Sequence, residues 1–344
     1  MSSSACRLLL WLACVPGILQ NPARAVAEPA PPPSDGPARQ FRASSVADAT
    51  AWQLESRRLL ARALRLEDLL APRQGGLATS SLPFDARELG RIRLKRYERL
   101  ELELNSTSTR RIRVILTLPV RAASDVRHPA VVCIHGHGGN RAIVYDTGNL
   151  YRGFAHALAG AGYVTISTDV GQHTVYETNR TLMGERLWDV MRCVDYLASR
   201  PQVDASRIGC AGLSLGGEMA MWLGAMDDRV QAVVSSGFLT TVANLRQGHC
   251  PCWDFPGLTE NFDFSDIYSL IAPRALLCQV GELEMPNGGF PVEIAEPAMR
   301  RIRTAYAVWN AADRAVLDVP DVGHVFVLER PLPFLASQLR PESP

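Results

Sequence analysis

Two stretches in the first third of the chain alternate apolar and polar positions. Arg91 to Leu104 carries Ile92, Leu94, Tyr97, Leu100, Leu102 and Leu104, and Arg111 to Val120 carries Ile112, Val114, Leu116 and Leu118. A period of two turns every second side chain to one face, which is the strand signature. Asn105-Ser106-Thr107-Ser108 between them is turn chemistry, so the pair predicts an antiparallel hairpin. Upstream, Ala47 to Leu70 spaces Trp52, Leu54, Leu59, Leu60, Leu64 and Leu66 amid Arg and Glu. That is an amphipathic helical pattern. It is expected to cover the domain's own sheet in preference to binding a partner.

After the hairpin the pattern changes to short apolar runs separated by helical stretches. Ala130–Ile134, Tyr163–Thr168, Ile208–Leu213, Val230–Ser235, Ala275–Val280 and Ala315–Val319 read as strands. Tyr151–Gly162, Arg186–Ser199, Leu215–Met226 and Pro297–Ala311 read as helices. Strands apolar on both faces, alternating with helices, predict an α/β fold with a mostly parallel central sheet flanked by helices. The expected organisation is a signal peptide over 1–27, a disordered Pro-rich linker over 28–40, an N-terminal helical extension over 41–90 and a catalytic domain over 91–338.

Composition changes this picture little. With 47% hydrophobic and 21% charged residues the 344-residue chain is ordinary for a globular enzyme. A formal net charge of +1 gives no reason to expect nucleic acid or an acidic substrate. The N-terminus adds more. Arg7 precedes the apolar run Leu8–Leu19, broken by Pro16, and Ala23-Arg24-Ala25 and Ala25-Val26-Ala27 are small-x-small cleavage patterns. This predicts export and cleavage over an uncleaved anchor or a lipid attachment at Cys14, and no stable membrane insertion afterwards.

The candidate chemistry begins at Gly212-Leu213-Ser214-Leu215-Gly216-Gly217. This G-x-S-x-G lies between a predicted strand and a predicted helix, where the chain must reverse within a few residues. Glycines two positions either side remove side chains that would block the turn, and the serine is presented above the sheet edge. Ser214 is therefore the expected nucleophile. His135-Gly136-His137-Gly138-Gly139 follows an earlier strand. It is placed to supply a second oxyanion donor, so the backbone N–H groups of His137 and Leu215 are the expected pair. His135, Gly138 and His173, the last in the loop after the next strand, are expected at the substrate pocket; a water-facing role for His173 stays open. The base is expected late in the chain, at His324 in Asp321-Val322-Gly323-His324. The acid is expected after Ala275–Val280, at Glu284 with Glu282 as the alternative.

No cofactor and no metal are expected. Cys250-Pro251-Cys252 alone lacks the four ligands that zinc takes, so a structural disulfide with another partner or free thiols is favoured over a metal. The two histidines of the glycine loop have no carboxylate-rich partner set beside them.

From about Ala130 to Phe326 these motifs resemble the acetyl xylan esterase-like and dienelactone hydrolase-like branch of the α/β-hydrolases. The segments that carry the likeness are His135–Gly139, Gly212–Gly217, Gly248-His249-Cys250-Pro251-Cys252, Phe262–Asp266 continuing to Leu270–Arg274, and Gly323-His324. The resemblance implies the α/β-hydrolase fold, hydrolysis of a small-molecule or carbohydrate ester, and a triad on Ser214, Glu284 and His324. Dienelactone hydrolases proper use a cysteine nucleophile, and Ser214 departs from that pattern. A peptidase or amidase of the same fold and an inactive binding protein are the rival readings. Nothing in the pattern sets an oligomeric state.

Overall fold

The computed structural model describes residues 37–73, 76–79, 82–120, 126–285 and 288–339. The expected signal peptide and most of the expected linker lie outside the described residues. Helix α1 (Val46–Ala63) is capped by Ser45, whose side chain accepts the Asp48 N–H. A two-stranded ribbon, β1 (Leu70–Arg73) with β2 (Gly76–Thr79), follows. The main sheet has nine strands: β3 (Arg87–Arg93), β4 (Tyr97–Asn105), β5 (Arg111–Pro119), β6 (His128–Ile134), β7 (Val164–Thr168), β8 (Val203–Leu213), β9 (Val230–Ser236), β10 (Ala275–Gln279) and β11 (Ala315–Asp318). Their spatial order is β11-β10-β9-β8-β6-β7-β5-β4-β3. The six from β7 to β11 are parallel; β5, β4 and β3 join antiparallel at one end.

Alternation along the parallel strands divides the core. On β6, Val132 and Ile134 face one layer and Val131 and Cys133 the other. The first layer holds α1, α3 (Leu182–Ala198), α4 (Leu215–Met226), α7 (Phe264–Ser269) and α8 (Val292–Ala307). The second holds α2 (Phe154–Gly160) and α9 (Pro331–Leu339). Burying each large aliphatic side chain contributes about 1.5–3 kcal/mol before entropy is counted. Short helices α5 (Val242–Leu245) and α6 (Leu258–Asn261) lie in the long excursion after β9.

Three sequence expectations are corrected here. The alternating run Arg91–Leu104 is two strands, because Leu94 donates its N–H to the Tyr97 carbonyl and the chain turns back. Strand β3 is exposed throughout; Arg91 pairs with Glu88 along it and with Glu98 on β4, and such charges discourage pairing with another chain. Helix α1 stops at Ala63, before Arg65 takes φ 57°; Leu66 and Leu70 still reach the core from non-helical backbone. Helix α9 was not foreseen. As expected, α1 covers its own domain. Buried Gln53 donates to the Ala272 carbonyl at 2.7 Å, and Arg57 donates to the carbonyls of Ala225 and Leu270 at 2.7 and 2.6 Å.

Candidate active site

Strand β8 ends at Leu213 and α4 begins at Leu215, leaving Ser214 alone in the turn. It takes φ 63° and ψ −125°, a backbone state that costs a non-glycine residue energy. The surroundings hold it there. The Ser214 N–H donates to the Ser236 carbonyl at 2.9 Å. A Cβ on Gly212 would come within 2.2 Å of the Gly216 carbonyl, and one on Gly216 within 2.2 Å of the Ile134 carbonyl. Only glycine lets three backbone segments approach this closely.

His324 and Glu284 meet from different loops. The His324 Nδ1 donates to Glu284 Oε1 at 2.6 Å. The Glu284 side chain is 3% exposed and that of His324 35%. Phe290 stacks on the imidazole with centroids 5.7 Å apart and offers its N–H to Glu284 Oε2 at 3.4 Å. With Nδ1 carrying the proton, Nε2 is left as the ring's acceptor. Glu282 lies exposed at the surface, and the hydrogen bond to His324 is made by Glu284. Ser214, Glu284 and His324 all line one cavity of about 560 Å³, together with Phe238, Trp253 and Phe290. That volume suits a small ligand.

The loop after β6 reaches the same cavity through His137. Gly136 donates its N–H to the Tyr151 hydroxyl at 2.7 Å. The N–H groups of His137 and Leu215 have no protein acceptor among the described residues; for Leu215 this follows from its place at the start of a helix.

His135 does not reach the cavity. It is 1% exposed. Val170 donates to its Nε2 at 3.0 Å, which leaves Nδ1 to donate to the Gly136 carbonyl at 2.8 Å. Both nitrogens are thus spent fastening the loop to the end of β7, and burial lowers the ring's pKa. Gly138 borders a different, polar cavity with Asn140, Asp169 and Gln172. His173 is exposed and faces Cys250 rather than the reactive groups, its Nε2 3.3 Å from the Cys250 Sγ.

That last contact belongs to a set the sequence did not reveal. His137 Nε2 lies 3.0 Å from Cys252 Sγ, and the His137 and His173 rings stack at 5.5 Å. One ligand atom from each of His137, His173, Cys250 and Cys252 falls within 4.8 Å of all the others. The cysteines are free thiols. The sequence offered two half-sets, a histidine loop and a Cys-x-Cys, each insufficient alone. Arg186, on α3, belongs to the same set. It is fully buried and donates to Cys252 Sγ at 3.3 Å and to the Gln172 carbonyl. Burial, with Arg186 close by, pushes His137 down to about 4. Burial raises Glu218, on the cavity floor, to about 7, with Arg186 pulling the other way.

Residues 112–242 match the Dienelactone hydrolase family. The "Putative hydrolase YtaP" of Bacillus subtilis (strain 168) is 30% identical over 214 residues, covering 54% of this chain and 69% of that protein. Among solved structures, the "putative acetyl xylan esterase" of Bacteroides fragilis superposes with a TM-score of 0.65 at 17% identity, covering 88% of this chain and 92% of that one. The glucuronoyl esterase from Solibacter usitatus gives 0.64 at 16% identity, with 89% and 98% covered. Fold, cavity and these likenesses agree: the chain belongs to the dienelactone hydrolase family and has the α/β-hydrolase fold.

Proposed function

We propose that this chain is an exported serine carboxylic-ester hydrolase that removes an acetyl group from a carbohydrate or another small ester. One observation carries the reading: a strained Ser214 shares its cavity with an imidazole already hydrogen-bonded to a buried carboxylate at 2.6 Å. In the proposed cycle His324 Nε2 takes the Ser214 proton as the oxygen attacks the ester carbonyl. The backbone N–H groups of His137 and Leu215 receive the oxyanion, each worth about 2.7–4 kcal/mol in the transition state. Glu284 holds the imidazole tautomer and stabilises the imidazolium. His324 then protonates the leaving alcohol, and water releases the acid from the acyl-enzyme by the same steps.

The carbohydrate part of the proposal draws on the names of the two structural neighbours. Phe238, Trp253 and Phe290 on the cavity wall are compatible with a sugar face. Export rests on the N-terminal pattern; among the described residues no helix is long and apolar enough to cross a membrane.

The test is a fluorophosphonate probe with p-nitrophenyl acetate turnover. Wild type is expected to be labelled and active, and Ser214→Ala neither. Full turnover by Ser214→Ala rules out the nucleophile. A panel of acetylated sugars and aryl esters then ranks the alcohol, and faster cleavage of peptides than of esters overturns the esterase reading.

A further inference from the structure

We propose that His137, His173, Cys250 and Cys252 form a tetrahedral zinc site that clasps three loops around the reactive cavity. Two imidazoles and two thiols are the donor set of a closed structural zinc centre. The spacing fits. Zn–N of about 2.0–2.1 Å and Zn–S of about 2.3 Å put tetrahedral ligands about 3.3–3.8 Å apart. Here the four ligand atoms lie within 4.8 Å of one another, with cross pairs at 3.0 and 3.3 Å. Both histidines direct Nε2 at a sulfur. Small side-chain rotations bring all four onto one ion.

Arg186 is the independent observation. Its guanidinium is 0% exposed, its Nε has no partner, and Glu218, the buried carboxylate it acts on, forms no ion pair with it. A buried cation is costly without an anionic acceptor. One of its nitrogens points at Cys252 Sγ at 3.3 Å. A zinc-bound thiolate is that acceptor, and hydrogen bonds from outside the coordination sphere commonly hold such ligands. On binding, the two thiols lose their protons to solvent and the zinc takes two thiolates, so the ion and its ligands are neutral together. A disulfide between the same sulfurs leaves both imidazoles and Arg186 without this role.

The ligands come from the loops after β6, β7 and β9. With four protein ligands the ion has no open position, so its role is positioning. Rigidity of the His137 backbone is the consequence that rests on the ester-hydrolase reading; the metal site itself does not.

The test uses the full chain purified after zinc supplementation under reducing conditions, with metal content by inductively coupled plasma mass spectrometry. About one zinc per chain is expected. Cys250→Ser with Cys252→Ser, checked for folding by circular dichroism, is expected to hold less than about a tenth of that. Should the double variant not fold, His173→Ala is expected to weaken zinc retention against a competing chelator by about 10-fold or more. Cobalt substitution adds a readout independent of catalysis: thiolate-to-cobalt charge transfer and intense tetrahedral ligand-field bands, lost in the cysteine variants. A wild-type chain that takes up no zinc or cobalt, or a folded double variant that keeps as much as wild type, overturns the proposal. Ser214→Ala is expected to retain zinc, which separates failure of the metal site from failure of the esterase reading.

Discussion

Ser214 sits at a strand end, and Glu284 and His324 on two loops that hydrogen-bond to each other just beyond β10 and β11. His137, His173, Cys250 and Cys252 sit on loops whose side chains meet across the rim of the same cavity. At the elbow, glycines at 212 and 216 let backbone segments touch, and the Ser214 N–H is tied to β9. Glu284 is buried and its carboxylate is held from two sides. At the rim, His137 and His173 are exposed, and their rings contact each other and the cysteines. A reactive group built on packed backbone is positioned before substrate arrives. A group on exposed loops needs a crosslink to be held comparably, and the rim supplies the donors for one.

The sharpest test of that contrast is Ser214→Ala. The kcat for p-nitrophenyl acetate is expected to fall about 10⁴-fold or more, with zinc content and unfolding midpoint close to wild type. Glu284→Gln is expected to cost about 10²- to 10⁴-fold in kcat, because the amide no longer fixes the neutral His324 tautomer or stabilises its cation. Removing zinc with a chelator is expected to lower kcat about 10- to 100-fold while the fold persists by circular dichroism, with recovery on adding zinc. Equal loss of activity and secondary structure would mean that the rim supports the whole fold rather than one loop.

A smaller effect concerns the cavity floor. Glu218 has its pKa raised to about 7 by burial, against an unfolded value in the ordinary carboxylate range. Its neutral form therefore adds stability that is fully present below about pH 4.5 and is lost as pH rises through about 7. Glu218→Gln stays neutral, so its stability relative to wild type is expected to improve between pH 5 and 8 by on the order of 3 kcal/mol. Urea unfolding at the two pH values measures this. Least of all, Glu282→Gln is expected to change kcat/KM by less than about twofold, since Glu282 is exposed and the His324 bond is made by Glu284.

Much of the sheet could be read from periodicity. The apolar runs at Ala130–Ile134, Val230–Ser235 and Ala275–Val280 lie on β6, β9 and β10. The elbow was legible for a local reason: strand, glycine, serine, glycine and helix occupy one contiguous segment. The break between β3 and β4 was not, since an exposed edge hairpin and a single long strand show the same alternation. His135 misled because a histidine at the start of a glycine loop looks like a pocket residue, and only the Val170 N–H and Gly136 carbonyl reveal it as a fastener.

By itself the chain determined the alternating strand-and-helix order, the residue at the sharp turn and the late histidine, because each depends on neighbours in sequence. Tertiary structure alone decided that Glu284 reaches His324, and that two histidines and two cysteines spread over more than a hundred positions converge beside Arg186. The physical reason is that parallel strands bring the loops at their carboxyl ends to one edge of the sheet. Which side chains then touch is set by loop paths that no local pattern encodes.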